Sequence, residues 1–384
     1  MASVTTLGRV NEPAAQTWNY LKTNGVDVHV PTREGYNDIP FPTWANNARP
    51  ALGEEAEQWL RDHADDVRVI DVPAGTDLTE PIVLRVSAAS SAVSCSSVRL
   101  RAGANATIVL VAAADRPSAQ AVRAQEPDDA EAVATAGNSG EAAAVAASEA
   151  PATCGSLLRA VVEEGAHLRV HDLTALDASY QYLNALGVFA GRDAHVEVEQ
   201  YVLDAGHALL GCGVELAGDR SRLDLGLHYV VREGEALDVN YTVRQRGKST
   251  LCNINAYGVL AEGSRKSLRD TIDFVRGSAG SRGREQETVL LAGERLVNKS
   301  LPTILCAEED VQGDHGATIG AVSPEQLAYL SQRGLTNDDI TDLFSRSVID
   351  GALTLFADAG HDAALRVARR ALGDELDELA ESAE

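Results

Sequence analysis

A turn recurs along the middle of this chain, and its spacing limits what the chain can fold into. In each instance a small or acidic residue precedes a glycine, several polar residues follow, and an apolar residue closes the segment. The turns are Ala74-Gly75 leading to Leu78, Ala102-Gly103 to Ile108, Glu164-Gly165 to Leu168, and Ala190-Gly191 to Val196. Ala217-Gly218 then leads to Leu223, Glu233-Gly234 to Leu237, Glu262-Gly263 to Leu268, and Ala292-Gly293 to Leu296. Successive glycines stand 28, 62, 26, 27, 16, 29 and 30 residues apart. The interval of 62 holds a low-complexity insertion, residues 115–151, rich in Ala, Glu, Asp and Ser and free of aromatic residues. Such a segment buries too little to order itself and is read as a mobile surface loop. Without it the interval falls into the twenties like most of the others. A quasi-period of that size, filled by short β-type runs without regular helices, predicts a solenoid of β coils. The 16 breaks the pattern.

Alternation within the runs supports strands. Val196 and Val198 are separated by Glu197 and followed by Glu199, and Leu223, Leu225 and Leu227 enclose Asp224 and Gly226. A β-sandwich or jelly roll also yields many short strands. The spacing favours a parallel β-helix core over residues 67–321.

Two different textures flank that core. Residues 1–66 contain Trp18, Trp44, Trp59 and a proline-rich connection between Pro31 and Pro50, and read as an N-terminal helical region with a helix from Glu54 to His63. The tryptophans suit core and docking positions. Residues 322–384 read as a C-terminal helical region. Ser323, Pro324 and Gln326 form a capping-box sequence, Gly334 suits a C-cap, and Thr336 with Asp339 starts another helix. Ile340, Leu343, Phe344 and Val348 make one apolar stripe, and Leu365, Ala368, Leu372, Leu376 and Leu379 make a second. Helices hung on the end of a solenoid have little to bury against, so the stripes suit a partner surface as well as internal packing.

Composition narrows the function classes. The 384 residues carry a formal charge of −24, with only four lysines among 33 basic residues. No basic surface for nucleic acid can be assembled in that field. Acidic excess with scarce lysine also suits a halophilic cytoplasm. Five cysteines lie at least 40 residues apart with no C-x-x-C pair, which excludes a zinc ribbon or ferredoxin motif and points to reduced cytoplasmic thiols. No secretory leader or membrane span is expected from the apolar runs. The phosphate-loop and nucleophile-elbow patterns are also missing, so nucleotide hydrolysis would fall to a partner.

The residues best suited to chemistry cluster after a short strand at Thr303–Cys306. Glu308, Glu309, Asp310, Asp314 and His315 are all metal-ligand types, and His315 stands out because glycines nearby leave its imidazole accessible. Gly313, Gly316 and Gly320 imply close packing or positive φ.

The order of this acidic cluster, then His315-Gly316-Ala317-Thr318-Ile319-Gly320, Ser323 to Leu330, and Gln332-Arg333-Gly334-Leu335, resembles the C-terminal signature of the SufB/SufD family of iron–sulfur cluster assembly proteins. Of the two paralogues it is more similar to SufD. The resemblance implies a right-handed parallel β-helix that pairs with a SufB-like paralogue, with a SufC-like ATPase held by the C-terminal helices. It further implies that the end of the β-helix is the contact between paralogues, where a cysteine of SufB and a histidine of SufD hold a nascent cluster. That histidine corresponds to His315. Many members have a cysteine two residues earlier, where this chain has Gly313. SufB members carry a cysteine and a histidine after a Leu-Leu-x-Gly segment, whereas Glu294 to Ser300, after Leu290-Leu291-Ala292-Gly293, has neither. The expectation is a SufD-like, non-catalytic subunit without a cofactor of its own, sharing a transient iron–sulfur cluster in the complex and either a monomer or a homodimer when isolated. A β-helix carbohydrate-active enzyme and a purely structural self-associating solenoid are the alternatives.

Overall fold

The alternating runs become strands that stack coil upon coil. The computed structural model describes residues 4–17, 22–32, 40–87, 92–114, 152–321, 324–357 and 359–372. From β3 (Asp66–Val72) onward, successive strands alternate between two eight-stranded parallel sheets. The odd sheet continues through β5 (Val93–Leu100), β7 (Ala152–Val162), β9 (Tyr180–Ala190), β11 (His207–Leu216), β13 (Ala236–Gln245), β15 (Arg265–Phe274) and β17 (Val297–Cys306). The even sheet holds β4 (Ile82–Ser87), β6 (Asn105–Ala113), β8 (His167–Ala175), β10 (His195–Asp204), β12 (Arg222–Val231), β14 (Leu251–Ala261), β16 (Ser281–Ala292) and β18 (Val311–Gly320). The protein is therefore a parallel β-solenoid, as the turn spacing predicts.

Register explains the core. Val170, Val198, Leu225 and Ile254 pair across four coils and are all buried, so each coil covers the apolar row of its neighbour. The interior is not wholly apolar. Asp172 points into it and accepts hydrogen bonds from Asn184 (2.7 Å) and Gln200 (2.8 Å), while burial lifts its carboxyl to about 6.

The irregular interval of 16 has a structural cause. Gly75, Gly103, Gly165, Gly191 and Gly218 lie at corners leading from the odd to the even sheet, whereas Gly234, Gly263 and Gly293 lie at the opposite corners. The 16 is thus a half-coil step from one edge of the solenoid to the other. At the first set of corners a positive-φ residue recurs in each coil, at Gly75, Gly103, Gly165, Asp193, Arg220, Ser249 and Gly280, with Gly277 as a second in the last corner. All of these but Gly277 donate the N–H to a carbonyl of the next coil at 2.7–2.9 Å. Turn geometry thereby ties neighbouring coils together. Where glycine is lost, Arg220 clamps Asp193 of the preceding corner with two hydrogen bonds (2.7 and 2.6 Å).

The N-terminal region departs from the helical expectation. Its first elements, β1 (Val4–Val10) and β2 (Val26–Pro31), form an antiparallel ribbon, because Val26, Val28 and Val30 alternate as a strand requires. Among the described residues of that region, α1 (Glu54–Asp62) is the one α-helix, beside a 3-10 turn at Thr43–Asn47, and it buries Ala56, Trp59 and Leu60. Ribbon and helix together cover the outer face of the odd sheet through Val10, Leu52, Leu60, Leu157, Leu183 and Leu209. Buried Arg269 fastens this layer by pairing with Asp238 (2.7 Å) and donating to the Thr23 carbonyl. Trp18 and the insertion at 115–151 lie outside the described residues.

The C-terminal helices have a surface to bury against after all. After a short α2 (Pro324–Ser331), α3 (Asn337–Leu355) and α4 (His361–Leu372) lie on the outer face of the even sheet, where Val348, Ile349, Ala352, Phe356, Ala364 and Val367 pack on Leu173, Tyr201, Leu203 and Val230. The capping box of Thr336 and Asp339 starts α3, whereas Ser323 lies outside the described residues. The buried faces are rotated from the expected stripes. Leu343 is 52% exposed and Leu365 only half-buried, whereas Val348 and Ala368 of the same stripes are buried. A Cβ at Gly351 would meet the Tyr201 hydroxyl at 2.9 Å. Leu376 and Leu379 lie outside the described residues. Among the described residues, no helix is long and apolar enough to cross a membrane.

Candidate functional site

The solenoid ends on β17 and β18, each hydrogen-bonded to a strand on one side only. Every residue of β18 from Gln312 to Ile319 is exposed. The repeating ladder indicates which groups are left free. Outward-facing His195, Arg222, Leu251 and Arg282 each donate an N–H back to the preceding coil. By the same parallel pattern Gln312, Asp314, Gly316 and Thr318 bind back to β16, and the N–H groups of Gly313, His315 and Ala317 face the bare edge. An uncovered edge of this length is a ready template for another strand.

The segment from Gly313 to Gly320 is this edge strand, and none of its glycines has positive φ. Close packing holds at Gly313 alone, since a Cβ at Gly316 or Gly320 would meet nothing within 4 Å. A Cβ at Gly313 would lie 3.1 Å from Ile304 and Phe274, so Gly313 belongs to the inward row. Strand alternation puts His315 in the same row, above Glu285 of β16 at the mouth of the solenoid. The other acidic candidates go elsewhere. Glu308 turns back to accept the N–H groups of Gly277 (2.9 Å) and Glu309 (3.0 Å), which hold its carboxyl below the usual range. Asp310 gives its carbonyl to Gly280, and Asp314 faces outward beside Gln312. Thus Glu308, Glu309, Asp310, Asp314 and His315 do not form one ligand set. Cys306 is a free, exposed thiol at the end of β17, with its Sγ 3.2 Å from the Glu308 carbonyl.

Beneath His315 lies a polar group that reading the turn and signature did not find. Lys266 is fully buried, ion-paired with Glu287, and donates to Ser300 Oγ at 3.0 Å. Asp270 and Glu285 are buried nearby, and one carboxylate oxygen of each of Asp270, Glu285 and Glu287 has no hydrogen-bond partner. Burial, reinforced by Glu287, lifts the Glu285 carboxyl to about 7, and the same causes with Glu285 added raise Asp270 well above its ordinary value. The available signal was Glu285 and Glu287 alternating in register with Val289, together with one of only four lysines in the chain.

This group makes stability depend on pH. A carboxyl raised above its unfolded value favours the fold fully below the unfolded value of ~4.5, and that contribution is lost as pH rises through about 7. Glu285→Gln should therefore gain stability over the parent increasingly from about pH 5 to about pH 8.5, reaching at most ~3 kcal/mol. Thermal melts of both proteins across that range give the answer. A difference that stays flat with pH contradicts the assignment.

A separate groove of about 1410 Å³ runs between the N-terminal layer and the odd sheet. Several of its charges are engaged with one another, as in Arg159–Glu57 (3.2 Å) and Arg246–Glu215, so the open coil remains the better candidate.

Comparison with known proteins agrees with this architecture. Residues 128–348, more than half of the chain, match the family model described as SUF system FeS cluster assembly, SufBD core domain. The chain is 30% identical over 161 residues to the iron–sulfur cluster assembly protein SufD of Bacillus subtilis, covering 41% of this chain and 36% of that protein. It is 30% identical over 118 residues to a SufBD family protein of Mycobacterium leprae, covering 31% of this chain and 14% of the relative. With one of Methanocaldococcus jannaschii it shares 23% identity over 175 residues, or 45% and 50% of the two chains. The matched segments thus span half or less of each relative. The family match takes in the solenoid from β7 to the open end that carries His315 and runs on into α3, and the chain belongs to the SufBD core family of the SUF iron–sulfur cluster assembly system.

Proposed function

We propose that this chain is the SufD-like, non-catalytic subunit of a cluster-assembly heteromer. It would join a SufB-like paralogue through the open end of its solenoid and supply the His315 imidazole to a nascent iron–sulfur cluster, which is the complex's product rather than a resident cofactor. The observation that carries this reading is the bare edge of β18, which holds an accessible histidine in its inward row beside unpaired N–H groups. A neutral imidazole is a good iron ligand, and backbone pairing between edge strands gives affinity without dependence on particular side chains. Glu294 to Ser300 lack the cysteine and histidine that SufB-like scaffolds carry in that run. ATP hydrolysis falls to a SufC-like subunit docked on the C-terminal region. There, Tyr329 and Leu343 remain exposed. Without its paralogue, the same edge suits a second copy of the chain.

Ala317→Pro tests the pairing. Proline is tolerated on an edge strand where its missing N–H faced solvent, so the variant should melt close to the parent. Mixed with the SufB-like partner, it should bind about tenfold or more weakly in calorimetry, a loss of at least ~1.4 kcal/mol. Undiminished binding by a folded variant contradicts edge pairing.

A further inference from the structure

Three strands of the even sheet place a second group of ligand-type side chains on the outer surface, far along the chain from His315. The pairing sets His167 of β8 beside His195 of β10 and Arg222 of β12, and in the next outward row Arg169 beside Glu197 and Asp224. The two imidazoles stack with centroids 4.5 Å apart. Glu197 Oε1 lies 2.8 Å from His167 Nε2 and 3.6 Å from His195 Nδ1. All three donor atoms fall within 4.8 Å of one another, and among the described residues these are the three so placed. The rows concerned lie before the part of the sheet that α3 and α4 cover, and all three residues are half-buried and reachable from solvent.

We propose that His167, His195 and Glu197 form a binding site for a divalent first-row transition ion such as Zn²⁺ or Fe²⁺. Two imidazole nitrogens and one carboxylate oxygen are the donor set these ions prefer over Mg²⁺ or Ca²⁺, and three protein ligands leave coordination positions open to water. The surroundings are arranged as outer-sphere support. His195 presents Nδ1 to the site while its Nε2 donates to Asp224 Oδ2 at 2.9 Å, which settles the tautomer a metal requires. Asp224 is itself held by Arg222 (2.7 Å) and Asn253 (2.8 Å). Bonds of ~2.1 Å to the nitrogens need donor atoms ~3.4 Å apart, so a small rotation of the two rings completes the set.

Arg169 opposes the ion. Its Nη2 lies 3.1 Å from His167 Nδ1, and its Nε lies 3.5 Å from Glu197 Oε2. Coordination through Nε2 leaves the proton of His167 on Nδ1, so the guanidinium must swing away when metal binds. Arg169 thereby sets the affinity of the site, and removing it tightens binding.

The test uses the tag-free full chain, freed of metal with a chelator, and held in molar salt with excess Mg²⁺ to occupy surface carboxylates. Zn²⁺ is titrated by calorimetry and Co²⁺ by visible absorption. The parent takes up one equivalent that Mg²⁺ does not displace. His167→Gln and His195→Gln each weaken it by about tenfold or more, and Arg169→Gln tightens it. Circular dichroism and elution volume establish that the variants are folded. Absence of a saturable equivalent in the parent overturns the proposal, and so does unchanged uptake in the His167→Gln/His195→Gln double variant. Tightening in Arg169→Gln provides support that does not depend on losing a ligand.

Discussion

Truncation before Thr336 should leave a chain that aggregates or melts far below the full-length protein, because α3 and α4 form the outer layer of the even sheet. Their removal would expose Val109, Val111, Leu173, Tyr201, Leu203 and Val230 together, a contiguous apolar face that a folded monomer does not present to water. Burial of side chains of this kind contributes about 1.5–3 kcal/mol each at most, so losing the layer is comparable with the ~5–15 kcal/mol that keeps a domain folded. A single substitution reports on the same contact. Phe356 is buried at 1% exposure and stands edge-on to Tyr201 with centroids 5.8 Å apart, so Phe356→Ala should cost about 3–5 kcal/mol in chemical denaturation. A soluble truncated solenoid with near-parental stability would show that the helices are appendages.

Lys266→Met should be comparably damaging for an electrostatic reason. The parent has three buried carboxyl groups around one ammonium, and burial already presses the Lys266 amine below its ordinary value while Glu287 holds it up. Removing the cation leaves Glu287 buried opposite nothing, at an expected cost of about 3–5 kcal/mol above neutral pH. Because the cost comes from the stranded carboxylate, Lys266→Met/Glu287→Gln should recover most of it. Denaturation midpoints of the parent, single and double variants decide the matter. A double variant no better than the single would mean that packing of the lysine stem, not charge, is what the site depends on.

These cases show which parts of the structure were legible in the sequence. A solenoid repeats one local pattern, so turn spacing and period-two alternation are enough to infer the stacked coils. Gly75 and its equivalents mark the corners directly. The half-coil step at Gly218 to Gly234 looked irregular because two kinds of corner share the same residue types. What covers the sheets was not legible, since it depends on contacts between residues far apart in the chain. Val348 and Val367 meet Tyr201 and Val230 across well over a hundred residues. The N-terminal ribbon is less legible for a different reason: Val26, Val28 and Val30 alternate over only the six residues of β2, between segments marked by tryptophan and proline. At the open end, His315 could be singled out by its glycine neighbours. The partners of Glu308 and the buried group around Lys266 could not, because both are set by register between coils.

The central claim is that His315 works as an iron ligand at the end of the solenoid. The imidazole is exposed and inward-facing, so His315→Ala removes a ligand without opening a packed core, and one side chain contributes little to a large protein interface. Gly313 offers no replacement. The decisive measurement is iron and acid-labile sulfide per complex after anaerobic co-expression with the SufB-like and SufC-like partners, with elution volume as the control for assembly. His315→Ala should assemble normally and hold about tenfold less iron and sulfide than the parent complex. An intact variant complex with parental iron and sulfide content would contradict the claim and leave His315 an ordinary residue of an edge strand.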